Sequence, residues 1–429
     1  MPAERKPGFA LVARHPKLAN TLLVIVSLLV TVLVIDLVAF YLLGLRPIGW
    51  NPGRFFQHSS LLGWEHKPYA EGTWYAYKDG TRTHVRINAY GFPDDEREVA
   101  KSRPRIALLG DSTTEYWEVD EDGRPQRVMA RMLDGHFEVL NFGLRGAGTD
   151  QEWIRYTEQV VLFSPDIVVL NFCVNDYGNN AEKDSKPWFE LDPAAPRGLR
   201  LAGMPIRGEQ LPEPPWWLEL MERSYTLRQL KYFTVGMGSH FREGDPLETH
   251  LELRPFKRDY DAEDERRLEV LRRLIAAFVD YSREQDIRFL LVEGIERPVL
   301  DEETRKLVVD IYGDVFDFDR VTRELEEHSA AVGYEFLSLP RLVRERGLDV
   351  RELLHPLDSM HLNAAGAEFF STVVVERIRE LGWLEEATRA ADTMVAAAGT
   401  AARAAGTKGP GAGTTGPDAG TAARAAGTG

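Results

Sequence analysis

The sequence predicts an α/β domain whose parallel sheet is covered by helices on both faces. Two observations predict it. From Arg105 onward, short aliphatic runs alternate with helical stretches, and most of the runs are followed by a polar or glycine-rich cluster. Strands separated by helices at that spacing require crossover connections, which bury both faces of a parallel sheet. Ligands of such sheets bind at the carboxyl ends of the strands.

The elements follow in order. Arg105–Leu109 is short and apolar, opened by Pro104 and stopped by Gly110, as a buried strand should be. The segments 137–142 (FEVLNF), 166–172 (DIVVLNF), 287–293 (IRFLLVE) and 334–339 (YEFLSL) repeat that character. Helices are expected at 149–163, 261–284, 318–332 and 363–381; in the second, Leu268, Leu271, Ile275 and Phe278 share one face. Residues 46–104 are rich in glycine, proline and aromatics. There, GTWYAY and THVRIN flank Lys78-Asp79-Gly80-Thr81, and Asp-Gly is a hairpin signal. This reads as a small β element between membrane and core domain. Residues 177–260 are a proline-rich insertion. Its Trp216 and Trp217 read either as a stacking platform for sugar or acyl chain or as part of a helix burying Leu218, Met221 and Tyr225.

The two ends differ from the middle. Thr21–Leu45 is apolar with one charge, Asp36. It is long enough to span a bilayer as a helix, for which about 20 apolar residues are needed. It exceeds the apolar core of a signal peptide, and no small-residue cleavage site follows. Arg5, Lys6, Arg14 and Lys17 precede it against Glu4 alone, so the N-terminus is expected in the cytoplasm and the rest exported. Asp36 lies toward the exported end, where it either snorkels or makes a contact within the membrane. After about residue 384, Ala, Gly, Thr and Pro dominate, and GTAARAAGT occurs at 399–407 and 420–428. Such a tail has little to bury and is expected to be disordered. The expected organisation is a cytoplasmic 1–17, a signal-anchor helix at 18–45, a juxtamembrane β-rich 46–104, a catalytic domain at 105–383 and a tail at 384–429.

The 429 residues carry a formal charge of −15, which argues against nucleic acid and against a polybasic grip on anionic lipid. Cys173 is the only cysteine, so neither an internal disulfide nor a multi-cysteine metal site can form.

Four clusters stand at strand ends or before the last helix. They are Gly110-Asp111-Ser112, Asn141 to Gly146, Cys173-Val174-Asn175-Asp176, and Asp358 to Asn363 with His361. Serine is barely nucleophilic at neutral pH and needs an adjacent base. His361 is suited to that role, and Asp358, three residues earlier, can fix its tautomer. His355 is a rival base, but Pro356 follows it and favours a loop role. Asp111 and Asp176 read as loop-orienting residues and Asn363 as the cap of the last helix.

In that order the clusters resemble the SGNH hydrolases, or GDSL esterases, over roughly 105–383. Gly-Asp-Ser after the first strand, Asn141 ahead of Gly146, and Asp-x-x-His followed by Leu-Asn carry the resemblance. The third cluster departs from it, because Cys173 stands where the family's Gly-x-Asn-Asp begins. The lead-in RINAYGFPDDEREVA at 86–100 also resembles membrane-anchored bacterial members. The resemblance implies a three-layer, flavodoxin-like sheet and acyl transfer through an acyl-serine, with no cofactor and no metal. It implies a catalytic set of Ser112, Asp358 and His361. The oxyanion donors would be the backbone N–H groups of Ser112 and Gly146 and the side chain of Asn175. Water as acceptor makes the chain an esterase on small-molecule or carbohydrate esters. A carbohydrate hydroxyl as acceptor makes it an envelope-polysaccharide O-acyltransferase. A catalytically silent, membrane-tethered binding protein is the third reading.

Overall fold

The structure, a computed structural model, describes residues 16–42, 55–75, 81–183, 185–204, 224–227, 251–356 and 358–393. Helix α1 (Pro16–Tyr41) contains an apolar stretch, Asn20–Ala39, long enough to cross a membrane. Two antiparallel hairpins follow: β1 (Phe56–Ser59) with β2 (Gly63–His66), and β3 (Glu71–Tyr75) with β4 (Arg82–Arg86). The second is the hairpin expected from its flanks; the Asp79-Gly80 turn lies outside the described residues. The first carried no turn signal of that strength.

The central sheet contains β5 (Arg105–Gly110), β6 (Glu138–Asn141), β7 (Ile167–Phe172), β10 (Arg288–Glu293) and β11 (Glu335–Ser338). Its spatial order is β11-β10-β7-β5-β6, all parallel. In order of appearance that is 2-1-3-4-5, the flavodoxin-like arrangement, and the chain reverses direction across the sheet beside the first strand. Within the insertion, β8 (Trp188–Leu191) and β9 (Leu199–Ala202) form a third hairpin. Trp216 and Trp217 lie outside the described residues.

The sheet's two faces explain its apolar strands. Side chains alternate across a strand. Ile106, Leu108, Val169, Leu290 and Val292 enter one core with α3 (Pro125–Met132) and α7 (Ala364–Glu380). Ala107, Leu109, Val168, Leu170, Phe289 and Leu291 enter the other with α4 (Thr149–Glu158), α5 (Ala262–Glu284) and α6 (Arg320–Val332). Burying each such aliphatic side chain stabilises the fold by roughly 1.5–3 kcal/mol. Helix α5 starts where Asp261 accepts from the N–H groups of Glu263 and Asp264, and it buries Leu268, Leu271, Ile275 and Phe278 as its periodicity predicts.

Residues 55–87 pack onto the domain that holds the parallel sheet. Phe55, Phe56, Leu62, Trp74 and Val85 share one core with Trp117, Leu144 and Ala147. Local turn and strand signals carry no record of such distant partners. The chain also stays helical from 383 to 393. Trp383, Leu384 and Ala387 are buried against α7's core, so packing extends past the compositional change at 384.

Asp36 has a defined partner. Its carboxylate accepts from the backbone N–H of Thr226 at 2.9 Å and from the Thr226 hydroxyl at 2.7 Å. The contact joins α1 to the insertion.

Candidate active site

Ser112 opens the single-turn helix α2 (Ser112–Glu115), which lies between β5 and α3. Asp111 caps it, accepting from the N–H and the hydroxyl of Thr113, each at 2.8 Å. The cap therefore belongs to Asp111 and leaves the Ser112 hydroxyl for other partners. Gly110 is required at this bend. It has φ of +150°, and a Cβ there would lie 2.1 Å from Thr114 Oγ1 and 2.8 Å from Asn171 O.

His361 Nε2 lies 2.9 Å from Ser112 Oγ, across 249 residues of sequence. His361 Nδ1 lies 3.0 Å from Asp358 Oδ2. That distance is within ion-pair reach, and the carboxylate faces the ring nitrogen opposite Ser112. The other carboxylate oxygen, Oδ1, accepts from the N–H groups of Met360 and His361, which fixes the loop's shape. Burial alone would lower the pKa of His361. The carboxylates of Glu118 and Asp358 outweigh it and raise the value above that of an ordinary histidine. His355 is held in a loop role: its N–H donates to the His361 carbonyl at 3.1 Å. Asn363 caps α7, accepting from the N–H of Gly366 at 3.0 Å.

Asn175 approaches the same turn. Its Nδ2 donates to Asp111 Oδ2 at 2.8 Å, and that oxygen lies 3.4 Å from Ser112 Oγ. Asn175 Oδ1 is buried with no hydrogen-bond partner among the described residues. Asp176 accepts from the Thr149 hydroxyl at 3.2 Å and ties its loop to α4. Cys173, the departure from the family pattern, is 2% exposed, with Sγ 3.7 Å from Glu296 Oε1. Burial, followed by the charges of Asp111 and Glu296, pushes its thiol well above the usual range. Cys173 is therefore packed in the interior with its thiolate disfavoured.

The Gly146 loop meets the Ser112 turn through Glu115 and Arg145. The Arg145 N–H donates to Glu115 Oε1 at 2.5 Å, and its guanidinium pairs with Glu115 and with Glu118 at 3.1 and 2.8 Å. The Leu144 N–H donates to the Gly110 carbonyl at 3.0 Å. The four sequence clusters are thus brought to one edge of the sheet.

Motif reading missed several residues of this edge. Glu296 and Arg297 follow the fourth strand, β10, where the rule of examining every strand end would have found them. Arg297 bonds three backbone carbonyls of the histidine loop: its N–H reaches Ser359, its Nε Asp358 and its Nη2 His355. Burial, then the nearby Asp358 and Glu252, holds the Glu296 carboxyl well above the usual range. Trp64, His66, Glu115 and Arg145 gave no local signal, because their partners lie 25 to 81 residues away.

Residues 108–201 match the model of the GDSL-like Lipase/Acylhydrolase family. The match contains Ser112, Gly146 and Asn175 and stops before Asp358 and His361. No curated protein matches the chain. Among solved structures, an acetyl xylan esterase, AlAXEase, is similar at 14% identity and TM-score 0.36, over 64% of this chain and 99% of its own. A lipase/acylhydrolase from Enterococcus faecalis is similar at 14% identity and TM-score 0.35, over 65% and 96%. A GDSL-like lipase from Bacteroides thetaiotaomicron is similar at 12% identity and TM-score 0.34, over 66% and 91%. Likeness at this level carries no argument about substrate.

Proposed function

We propose that this chain is an ester-hydrolysing enzyme of the GDSL-like lipase/acylhydrolase type, acting through Ser112. Ser112 Oγ attacks the ester carbonyl as its proton passes to His361 Nε2. The C–O bond of the ester then breaks, and His361 returns the proton to the departing alkoxide. Water repeats the sequence on the acyl-serine and releases the acid. Asp358 holds the tautomer that keeps Nε2 free to accept. The oxyanion is met by the backbone N–H groups of Ser112 and Gly146 and by the Asn175 amide. The observation that carries the reading is the 2.9 Å contact between Ser112 Oγ and His361 Nε2.

Location is part of the proposal. The apolar stretch Asn20–Ala39 has a mean hydropathy of 3.0, and basic residues precede it. It serves as an uncleaved signal anchor in the cytoplasmic membrane, with the catalytic domain on the exported side.

The test is a panel of p-nitrophenyl esters of increasing acyl length, with Ser112→Ala as control. Ser112-dependent release of free acid supports the esterase. Acyl transfer to an added glycan in place of free acid supports an O-acyltransferase instead. No turnover, together with no labelling by a fluorophosphonate, sinks the serine mechanism and leaves the silent binding protein.

A further inference from the structure

One short strand, β2, holds the Arg145 carbonyl directly and reaches the Arg145 N–H through Glu115. Trp64 Nε1 donates to the Arg145 carbonyl at 3.0 Å. His66, two residues along β2, places Nε2 2.7 Å from Glu115 Oε1, the oxygen that accepts the Arg145 N–H. Residues two apart on a strand share a face, so Trp64 and His66 reach the loop together.

The Ala147 N–H donates to the Leu144 carbonyl at 3.0 Å, closing a four-residue turn. Gly146, third in that turn, has φ of +74°. A positive φ at the third position, with none at Arg145 in the second, is that of a type II turn rather than type I′. Types I and II differ by a flip of the central peptide, here the one joining Arg145 and Gly146. In a trans peptide the C=O and N–H point in opposite directions. Holding the Arg145 carbonyl therefore also fixes where the Gly146 N–H points. A flip would swing that N–H to the opposite side.

We propose that Trp64 is a positioning residue for the oxyanion donor Gly146, holding the 145–146 peptide in its type II orientation, with His66 supporting it through Glu115. The β1–β2 hairpin is then part of the catalytic apparatus. The hydrogen bond to the carbonyl also polarises the peptide and strengthens its N–H as a donor. The proposal rests on the reading of Ser112 as nucleophile and Gly146 as donor.

The experiment uses the full-length protein in detergent micelles. Trp64→Phe keeps a ring and removes the indole N–H. It is expected to lower kcat, and the rate of fluorophosphonate labelling of Ser112, by about 3- to 10-fold with KM unchanged, as the loss of one neutral hydrogen bond implies. Gly146→Ala disfavours the positive φ directly and is expected to lower kcat as well. In the Trp64→Phe background its further effect should be smaller, because both changes act on one flip. Wild-type kcat and labelling in Trp64→Phe, a change in KM alone, or fully independent effects of the two substitutions would each overturn the proposal while leaving the serine mechanism intact. If Trp64→Phe does not fold, an undiminished kcat in Gly146→Ala overturns it. Absence of labelling in the wild type is a different result, and it removes the serine mechanism and this proposal together.

Discussion

Arg297 Nε donates to the backbone carbonyl of Asp358 at 2.8 Å, and the same guanidinium reaches the carbonyl of His355 at 2.8 Å. One side chain from the end of the fourth strand thus holds the loop that carries Asp358 and His361. Arg297→Ala is expected to lower kcat by about 10- to 100-fold, since each lost charged hydrogen bond to a buried acceptor costs about 1–3 kcal/mol. Arg297→Lys should recover only part, because an ammonium cannot reproduce the two-pronged geometry. Steady-state kinetics of both variants checks this, and equal activity in all three proteins would refute it.

The contact between Ser112 and His361 predicts unit behaviour. Ser112→Ala and His361→Ala should each lower kcat by about 10⁴-fold or more, and the double variant should be little worse than either. Asp358→Asn should be severe but leave more activity. Near-wild-type hydrolysis by Ser112→Ala would show that the nucleophile lies elsewhere.

The raised pKa of His361 predicts a shifted acid limb. The base must be neutral to take the serine proton, so kcat/KM should fall as pH drops through a value above the ordinary histidine pKa of about 6.5. Glu118 is the largest influence raising that value and Arg145 opposes it. Glu118→Gln removes the raising charge, so the limb should move to lower pH. A pH–rate profile of the two proteins measures it, and a shift to higher pH would contradict the assignment.

At the third cluster, the buried thiol and the amide are expected to behave oppositely. Asn175→Ala should lower kcat by about 10²–10³-fold with little change in KM. Cys173→Ala should keep most activity, and iodoacetamide should label Cys173 slowly in the native protein at pH 8, because its thiolate is disfavoured. Rapid labelling with loss of activity would reverse both roles.

Asp36 and Thr226 predict a proximity. With Cys173 buried, cysteines at 36 and 226 should be joined within one chain by a short bis-maleimide. Peptide mass spectrometry detects the link. Single adducts alone would show that the insertion does not meet the anchor helix there.

Much of the central sheet was legible because it is written in local patterns. The run Ile106–Leu109 is apolar at every position since both of its faces are covered, and Gly110 ends it because no side chain fits beside Thr114. Ser112, Asn175 and His361 were legible for a related reason: each follows an element end at the sheet edge where ligands bind. Trp64 was not legible. Its indole partner is a carbonyl 81 residues away, and every residue has a carbonyl.

The sequence by itself determined the strands, the alternation that builds a covered parallel sheet, the apolar N-terminal helix, and the identities and order of the polar residues at the strand ends. Those depend on side-chain chemistry and on periods of two and 3.6 residues, which are properties of neighbours along the chain. Only the tertiary structure decided that Ser112 and His361 meet across 249 residues, that the 55–87 hairpins share a core with the loops around Trp117 and Leu144, and that Arg297 and Trp64 bond backbone carbonyls of the loops around Ser112. These contacts form between distant segments once the sheet and its two hydrophobic cores have closed, and many join a side chain to a main-chain group that carries no sequence signature.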